Sequence, residues 1–163
     1  MQISEMQAAE IKRVAEIESL SFARPWTADM LYEDLKGRTR ARVFVARRGS
    51  EIVGHIGIWK SFDEIHVTTL AVDPEHRRCG LASALMEHVI KKYGDDWELT
   101  LEVRESNFAA IKLYNKFGFE VLGRRLQYYL DNREDALIMT RKKNCSGEEI
   151  SCGAVAEYKG YSR

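Results

Sequence analysis

Apolar residues at the start of the chain recur at helical spacing. Within residues 8–19, four apolar positions fall close to a 3.6-residue period: Ile11, Val14, Ala15 and Ile17. This spacing predicts an amphipathic helix. Thr27 can cap a second helix that ends at Gly37. The apolar face of the second helix consists of Met30, Leu31 and Leu35.

The rhythm then changes to β-branched and aromatic runs. Residues 43–46 and 52–59 form two such runs joined by Gly49-Ser50, which predicts a hairpin. Residues 65–72 form a third strand that ends at Asp73-Pro74. A short strand at Gln2–Ser4 can precede the first helix.

The second half alternates helices and strands before a last hairpin. We predict a helix over 80–93, a strand over 97–103 and a helix over 107–117, capped by Asn107 and stopped by Gly118. Residues 119–130 and 134–141 then form a hairpin. This order indicates a mixed α/β sheet covered on both faces. We expect one domain over residues 1–142 and a tail, disordered or loosely docked, over residues 143–163.

Composition excludes several classes of protein. The chain has 163 residues and a formal net charge of zero, so it lacks the basic surface of a nucleic-acid-binding protein. Its apolar runs are far shorter than the ~20 residues that span a bilayer, and its first residues do not resemble a signal peptide. Cys79, Cys145 and Cys152 form no CxxC pair, which argues against a zinc ribbon or a disulfide scaffold. We expect a cytoplasmic protein without a metal.

The segment from residue 70 to 86 carries the clearest chemistry. A strand ends at Pro74, a basic turn with Arg77 and Arg78 follows, and a helix opens with small residues at Gly80, Ala82 and Ser83. Free N–H groups of a first helical turn bind anions, and small side chains let a phosphate approach the backbone. The segment contains neither a P-loop nor a dinucleotide GxGxxG motif.

The pattern Arg77-x-x-Gly80-x-Ala82 after such a strand resembles the acetyl-coenzyme A motif of the GNAT N-acetyltransferase superfamily. The stretch from Leu101-Glu102-Val103-Arg104 to Phe117-Gly118-Phe119 is similar to the second half of that fold. Three further segments resemble the branch that acetylates the N-terminal alanine of a bacterial ribosomal protein: Phe22-x-x-Pro25-Trp26, Tyr128-Tyr129 and Arg133-Glu134-Asp135-Ala136-Leu137-Ile138-Met139. The resemblance covers residues 3 to 142. It implies a central, mostly antiparallel sheet of about seven strands with helices on both faces.

The resemblance also implies an activity and a site. Acetyl-coenzyme A would be the co-substrate, and the acceptor would be a protein N-terminal α-amine. Glu102 would be the general base, and Tyr114 would give a proton to the coenzyme A sulfur. The implied cofactor-binding residues are Leu70, Ala71, Val72, Arg77, Arg78, Cys79, Gly80, Leu81, Ala82, Ser83 and Asn107. The implied acceptor-binding residues are Phe22, Trp26, Tyr128 and Tyr129.

Several alternatives stay open at the level of sequence. Asn107 can be a simple helix cap, and Tyr114 can be a core aromatic. Two further residues, His66 and Glu64, are reserve candidates for the base. His66 lies two strand periods of two residues before Leu70 on the same strand. Glu134 and Asp135 can attract a basic peptide or pair with Arg133. The acceptor can instead be a small-molecule amine or an internal lysine, and the chain can bind acyl-coenzyme A without turnover.

Overall fold

A computed structural model describes residues 1–36 and 40–143, and its strands form a single sheet. The strands are β1 (Gln2–Glu5), β2 (Ala41–Arg48), β3 (Glu51–Lys60), β4 (Glu64–Val72), β5 (Glu98–Arg104), β6 (Glu120–Tyr129) and β7 (Glu134–Arg141). Their order in the sheet is β1-β2-β3-β4-β5-β7-β6. Among the described strands, only β4 and β5 run parallel; the other paired strands are antiparallel. The predicted mixed sheet of about seven strands is confirmed.

Four helices cover the two faces of this sheet. They are α1 (Ile11–Ser21), α2 (Ala28–Lys36), α3 (Leu81–Tyr93) and α4 (Phe108–Lys116). Helices α1 and α2 pack on one face, where Ile17 and Leu31 meet Val43 and Val45. Helices α3 and α4 pack on the other face, where the core residues include Leu85, Val89, Tyr114, Ile65 and Leu99. No helix among residues 1–36 and 40–143 is long and apolar enough to cross a membrane.

The helix boundaries follow the predicted capping residues. Thr27 caps α2, where its Oγ1 accepts the N–H of Met30 at 3.3 Å. A 3₁₀ turn over Ala8–Glu10 leads into α1. The predicted apolar face of α2 is only partly correct, because Leu31 alone is buried while Met30 and Leu35 are about 40% exposed. The predicted end of this helix at Gly37 and the segment 144–163, with Cys145 and Cys152, lie outside the described residues.

A β-bulge in β4 changes which side chains share a face. Ile58 pairs with Val67 and Gly57 with Thr69, so the register passes over Thr68. Strict alternation would place His66 and Leu70 on the same face. Because of the bulge, Leu70 packs on the α3 side, whereas His66 faces the α1 side.

Candidate active site

Strands β4 and β5 pair only along their first halves. The parallel pairing runs from Glu64 opposite Glu98 to Val67 opposite Leu101. Beyond that point β4 continues to Val72 and β5 to Arg104. The space between residues 68–72 of β4 and 102–104 of β5 is called the strand opening below.

The backbone of β4 presents hydrogen-bonding groups to the strand opening. The N–H of Asp73 donates to the carbonyl of Val53 on β3 at 3.0 Å. Because backbone groups alternate in direction along a strand, those of Ala71 also face β3, and those of Leu70 and Val72 face the strand opening. An extended ligand can therefore pair with Leu70 and Val72 like an added strand.

The start of α3 forms the wall of a cleft beside this strand. Gly80 adopts the left-handed conformation with φ of +77°, and a Cβ built on it would meet no atom within 4 Å. The cleft has a volume of about 240 Å³. Its lining consists of Val72, His76, Arg77, Arg78, Gly80, Leu81, Ala82, Ser83, Ala109 and Leu113. A helix N-terminus among small residues suits a phosphate or pyrophosphate.

The cleft brings together seven of the predicted cofactor residues and adds His76 and two residues from α4. Leu70, Ala71, Cys79 and Asn107 are outside its lining, and the thiol of Cys79 is exposed. Ala109 and Leu113 were missed by the sequence analysis. Their four-residue spacing on a predicted helix was the signal that could have identified them.

Arg77 makes contacts within the protein. Its Nε donates to the carbonyl of Val72 at 3.2 Å, and its Nη2 donates to Oγ of Ser21 at 3.3 Å. The guanidinium therefore ties the end of β4 to the end of α1, and so holds the cleft wall in place. Arg78 lines the cleft with a positive φ of 60°.

Helix α4 contributes a cap and a buried phenol. The side chain of Asn107 caps the helix, with Oδ1 accepting the N–H of Ala110 at 3.1 Å. The ring of Tyr114 packs against Phe119 with 5.8 Å between centroids, and only 8% of the residue is exposed. Burial raises the pKa of Tyr114 to about 12. Tyr114 is thus a core aromatic whose hydroxyl keeps its proton at neutral pH.

Glu102 is the first residue of β5 beyond the segment that pairs with β4, so it lies where β4 and β5 part. Its carboxylate is 8% exposed. Oε2 is 3.0 Å from Nε2 of His66, and Oε1 is 3.3 Å from Nη2 of Arg125 on β6. These two contacts fix the orientation of the carboxylate.

The three sequence candidates for the base form one connected network. Nδ1 of His66 lies 3.0 Å from Oγ1 of Thr100, and this hydroxyl donates a short hydrogen bond to Oε1 of Glu64. Glu64, Thr100, His66 and Glu102 therefore follow one another across β4 and β5. The sequence analysis treated Glu64 and His66 as replacements for Glu102; the structure instead joins them to it.

The loop between α1 and α2 is anchored by a buried carboxylate that sequence reasoning missed. Oε1 of Glu18 accepts from Thr69 and lies 2.8 Å from Nε2 of His55, and its Oε2 accepts the N–H of Trp26 at 3.0 Å. Burial acts to raise the pKa of Glu18, but the hydrogen bonds from His55, Thr69 and Trp26 outweigh it and hold the pKa below its ordinary value. Trp26 is half-buried, and Phe22 is 39% exposed.

Two arginines stack on the tyrosine pair of the last hairpin. The rings of Tyr128 and Tyr129 meet edge to face at 5.2 Å. The guanidinium of Arg104 lies 3.9 Å from the centre of Tyr129, and that of Arg125 lies 5.4 Å from the centre of Tyr128. Burial raises the pKa of Tyr129. Because Arg125 also contacts Glu102, the hairpin is joined directly to the strand opening.

The acidic residues of this hairpin bind other parts of the protein. Glu134 pairs with Arg104 at 3.2 Å and accepts the N–H of Ser106 at 2.8 Å. Asp135 pairs with Arg124 at 3.4 Å. Of the two alternatives left open by the sequence, pairing of both carboxylates with Arg133 is not what the structure shows, because arginines of β5 and β6 are their partners. Within the described chain there is no group of three metal-binding side chains.

Comparison with known proteins identifies the class. Residues 11–119 match the family described as the acetyltransferase (GNAT) family. A protein from Bacillus subtilis (strain 168) is 40% identical over 139 residues, which cover 84% of this chain and 92% of that protein. Its name assigns it provisionally to the ribosomal protein bS18-alanine N-acetyltransferases. This chain therefore belongs to the GNAT acetyltransferase family and is an N-acetyltransferase.

Solved structures support the same fold. The crystal structure of the ribosomal-protein-S18-alanine N-acetyltransferase from Escherichia coli has a TM-score of 0.82 and 33% sequence identity, covering 91% of this chain and 97% of that one. A GNAT acetyltransferase from Elizabethkingia anophelis, solved with acetyl-CoA bound, has a TM-score of 0.72 at 18% identity, covering 86% of this chain and 97% of that one. The second likeness concerns the fold alone.

Proposed function

We propose that this chain moves the acetyl group of acetyl-coenzyme A to the N-terminal α-amine of a protein, and that this acceptor is a ribosomal protein with an N-terminal alanine. The names of the Bacillus subtilis and Escherichia coli relatives support the acceptor. The cleft at the start of α3 supports the cofactor, because small residues and free N–H groups suit its phosphates.

The proposed binding mode follows from the strand opening. The phosphates would lie against residues 80–83, and the pantetheine arm would pair with the backbone of Leu70 and Val72. The thioester would then reach the point where β4 and β5 part. A backbone N–H of β4 can polarise its carbonyl oxygen.

The reaction is a direct acyl transfer. The amine nitrogen attacks the thioester carbon, a C–N bond forms, and the C–S bond breaks. Glu102 accepts one proton from the ammonium, directly or through one water. Tyr114 gives its proton to the departing thiolate and regains one from the nitrogen, which loses its second proton as the amide forms. The observation that carries this proposal is the position of Glu102 at the apex of the strand opening, 8% exposed and oriented by His66 and Arg125.

The test is a thiol-release assay with acetyl-coenzyme A and a peptide that begins with a free alanine. The wild-type chain should release thiol, and Glu102→Gln should lower kcat by ~10²–10⁴-fold, the usual cost of losing a general base. Affinity for coenzyme A, measured by calorimetry, should be unchanged because Glu102 is outside the cleft lining.

Two outcomes would contradict the proposal. A wild-type rate in Glu102→Gln would remove this carboxylate from the mechanism. Thiol release with small amines but none with the peptide would overturn the acceptor assignment.

A further inference from the structure

A line of hydrogen-bonding side chains runs from Glu102 towards solvent. It crosses from β5 to β4 at His66, returns to β5 at Thr100 and ends at Glu64 on β4. The exposed fraction of the side chain rises from 8% at Glu102 to 22% at His66 and 24% at Glu64. The line thus connects a buried carboxylate with a more exposed one.

The donors along this line have a consistent direction. The hydroxyl of Thr100 donates to Glu64, so its oxygen is available to accept the Nδ1 hydrogen of His66. With Nδ1 carrying the hydrogen, Nε2 of a neutral imidazole can accept a hydrogen bond from Oε2 of Glu102 once that oxygen carries a proton. A proton that reaches Oε2 therefore has an acceptor 3.0 Å away.

We propose that His66, Thr100 and Glu64 form a proton relay that removes the proton from Glu102 after each turnover. This proposal rests on Glu102 being the base. The proton taken from the ammonium passes from Oε2 of Glu102 to Nε2 of His66. The Nδ1 hydrogen of His66 moves to Thr100, and the Thr100 hydroxyl hydrogen moves to Glu64. One proton leaves the ammonium and one arrives on Glu64, so the transfer balances.

The need for such a relay follows from the site geometry. A base must be returned to its carboxylate form before the next amine can react. Acetyl-coenzyme A in the strand opening and a peptide over Glu102 would cover the direct route to solvent. Glu64 lies at the opposite, paired end of the β4–β5 contact, where it is opposite Glu98. The relay exit is thus separate from the substrate entrance.

Thr100 offers a test with a matched control. Thr100→Val removes the relay hydroxyl with little change in shape and should lower kcat at least about tenfold, with the KM for acetyl-coenzyme A within twofold of wild type. Thr100→Ser restores a hydroxyl and should recover most of the rate. Thr140→Val is the control. Thr140, on β7, pairs directly with Thr100 on β5, and its buried hydroxyl has no hydrogen-bond partner among the described residues. It should leave kcat unchanged.

Glu64→Gln separates proton transfer from structure. The amide oxygen can still accept the hydrogen bond from Thr100, but an amide is a poor proton acceptor. This variant should therefore also lose kcat while keeping its melting temperature. Because Glu64 is partly exposed, it provides the test even if Thr100→Val does not fold.

The failure of the relay can be told apart from the failure of the base. If Glu102→Gln is inactive while Thr100→Val and Glu64→Gln turn over at the wild-type rate, the relay is wrong and the base stands. If Glu102→Gln is fully active, the base assignment fails, and the relay fails with it. Loss of rate in Thr100→Val that Thr100→Ser does not recover would indicate a packing effect and overturn the relay.

Discussion

At the scale of single residues, the energetics of Tyr114 constrain its part in the reaction. Its pKa of about 12 lies well above the ~8.5 of an ordinary thiol. A complete proton transfer from this phenol to a thiolate would cost roughly 5 kcal/mol at ~1.36 kcal/mol per pKa unit. In the proposed mechanism Tyr114 would therefore act as a hydrogen-bond donor that shares its proton as the C–S bond lengthens, and the second proton lost by the nitrogen would complete the thiol.

Replacing Tyr114 by Phe tests this role. We expect kcat to fall by about 10²-fold, the lower end for loss of a general acid, while the core keeps its packing. Tyr93→Phe is a matched control, because Tyr93 is a partly buried tyrosine at the other end of α3 from the cleft. Its rate should match wild type. Equal rates for the two variants would assign Tyr114 to the core alone.

At the scale of elements, the turn into α3 depends on the conformation of Gly80. A Val at φ of +77° is strained by about 2 kcal/mol, and its side chain would add bulk at a residue that lines the cleft. Gly80→Val should therefore lose coenzyme A binding in calorimetry and unfold at a lower urea concentration. Gly49, in the β2–β3 turn, has φ of +63° and equally open surroundings.

The Gly49→Val control isolates the strain from the binding effect. It should show a comparable loss of stability and normal affinity for coenzyme A, because Gly49 lies outside the cleft lining. Normal affinity in folded Gly80→Val would show that the start of α3 does not bind the phosphates.

The carboxylate of Glu134 holds the last hairpin to β5, and its pKa is strongly lowered in the folded protein. Hydrogen bonds from Ser106 and Asn132, with the ion pair to Arg104, lower the pKa of Glu134 from 4.5 to about 2. A depressed folded-state pKa stabilises the protein above the unfolded pKa, and this contribution is lost as the pH falls. The free energy of unfolding of wild type should therefore exceed that of Glu134→Gln at pH 7. The difference should shrink from about pH 4.5 towards pH 2 in urea titrations; a constant difference would contradict this linkage.

The elements themselves could be predicted because their signals are local. Alternation, caps and turn glycines such as Gly49 and Gly118 are read from a few neighbouring residues, and they gave the strands, the helices and the start of α3. The bulge at Thr68 could not be predicted, since it depends on pairing with β3. The parting of β4 from β5 after Val67 is equally non-local.

The missed parts of the site share this cause. Arg77 lines the cleft as expected of a phosphate ligand, but its bonds to Val72 and to Ser21, a residue 56 positions away, were not foreseen. The contact between Arg125 and Glu102 likewise depends on the β6–β7 pairing. Sequence spacing indicates the residue types of this site, but the tertiary pairing decides which of them meet.

At the scale of the whole molecule, the proposed mechanism would place the two substrates on opposite faces of the sheet. The cleft at the start of α3 involves α3 and α4, whereas Glu102 and His66 face the side covered by α1 and α2. The strand opening is the connection between these sides. An acceptor would therefore approach from the side of the α1–α2 loop and the last hairpin, and it would meet the thioester only at the opening.

This arrangement leads to a prediction on acceptor choice. A peptide with a free N-terminal alanine and one internal lysine should be acetylated at the α-amine, and the same peptide with a blocked N-terminus should react poorly. An α-ammonium has a pKa of ~7.7–8.0 and a lysine ~10.4, so deprotonating the lysine costs roughly 3 kcal/mol more. A lysine side chain must also lose more rotamer freedom to dock beside Glu102.

The pH dependence of this preference separates the two causes. Between pH 8 and pH 9 the free fraction of the α-amine rises less than about twofold, while that of lysine rises about tenfold. If amine pKa alone sets the preference, the ratio of the two initial rates should fall about five- to sevenfold between pH 8 and pH 9. If the walls at Phe22, Trp26, Tyr128 and Tyr129 also select a backbone-like N-terminus, a preference should persist at pH 10. Mass spectrometry of the products locates the acetyl group, and faster labelling of lysine than of the alanine N-terminus at pH 7 would overturn the N-terminal assignment.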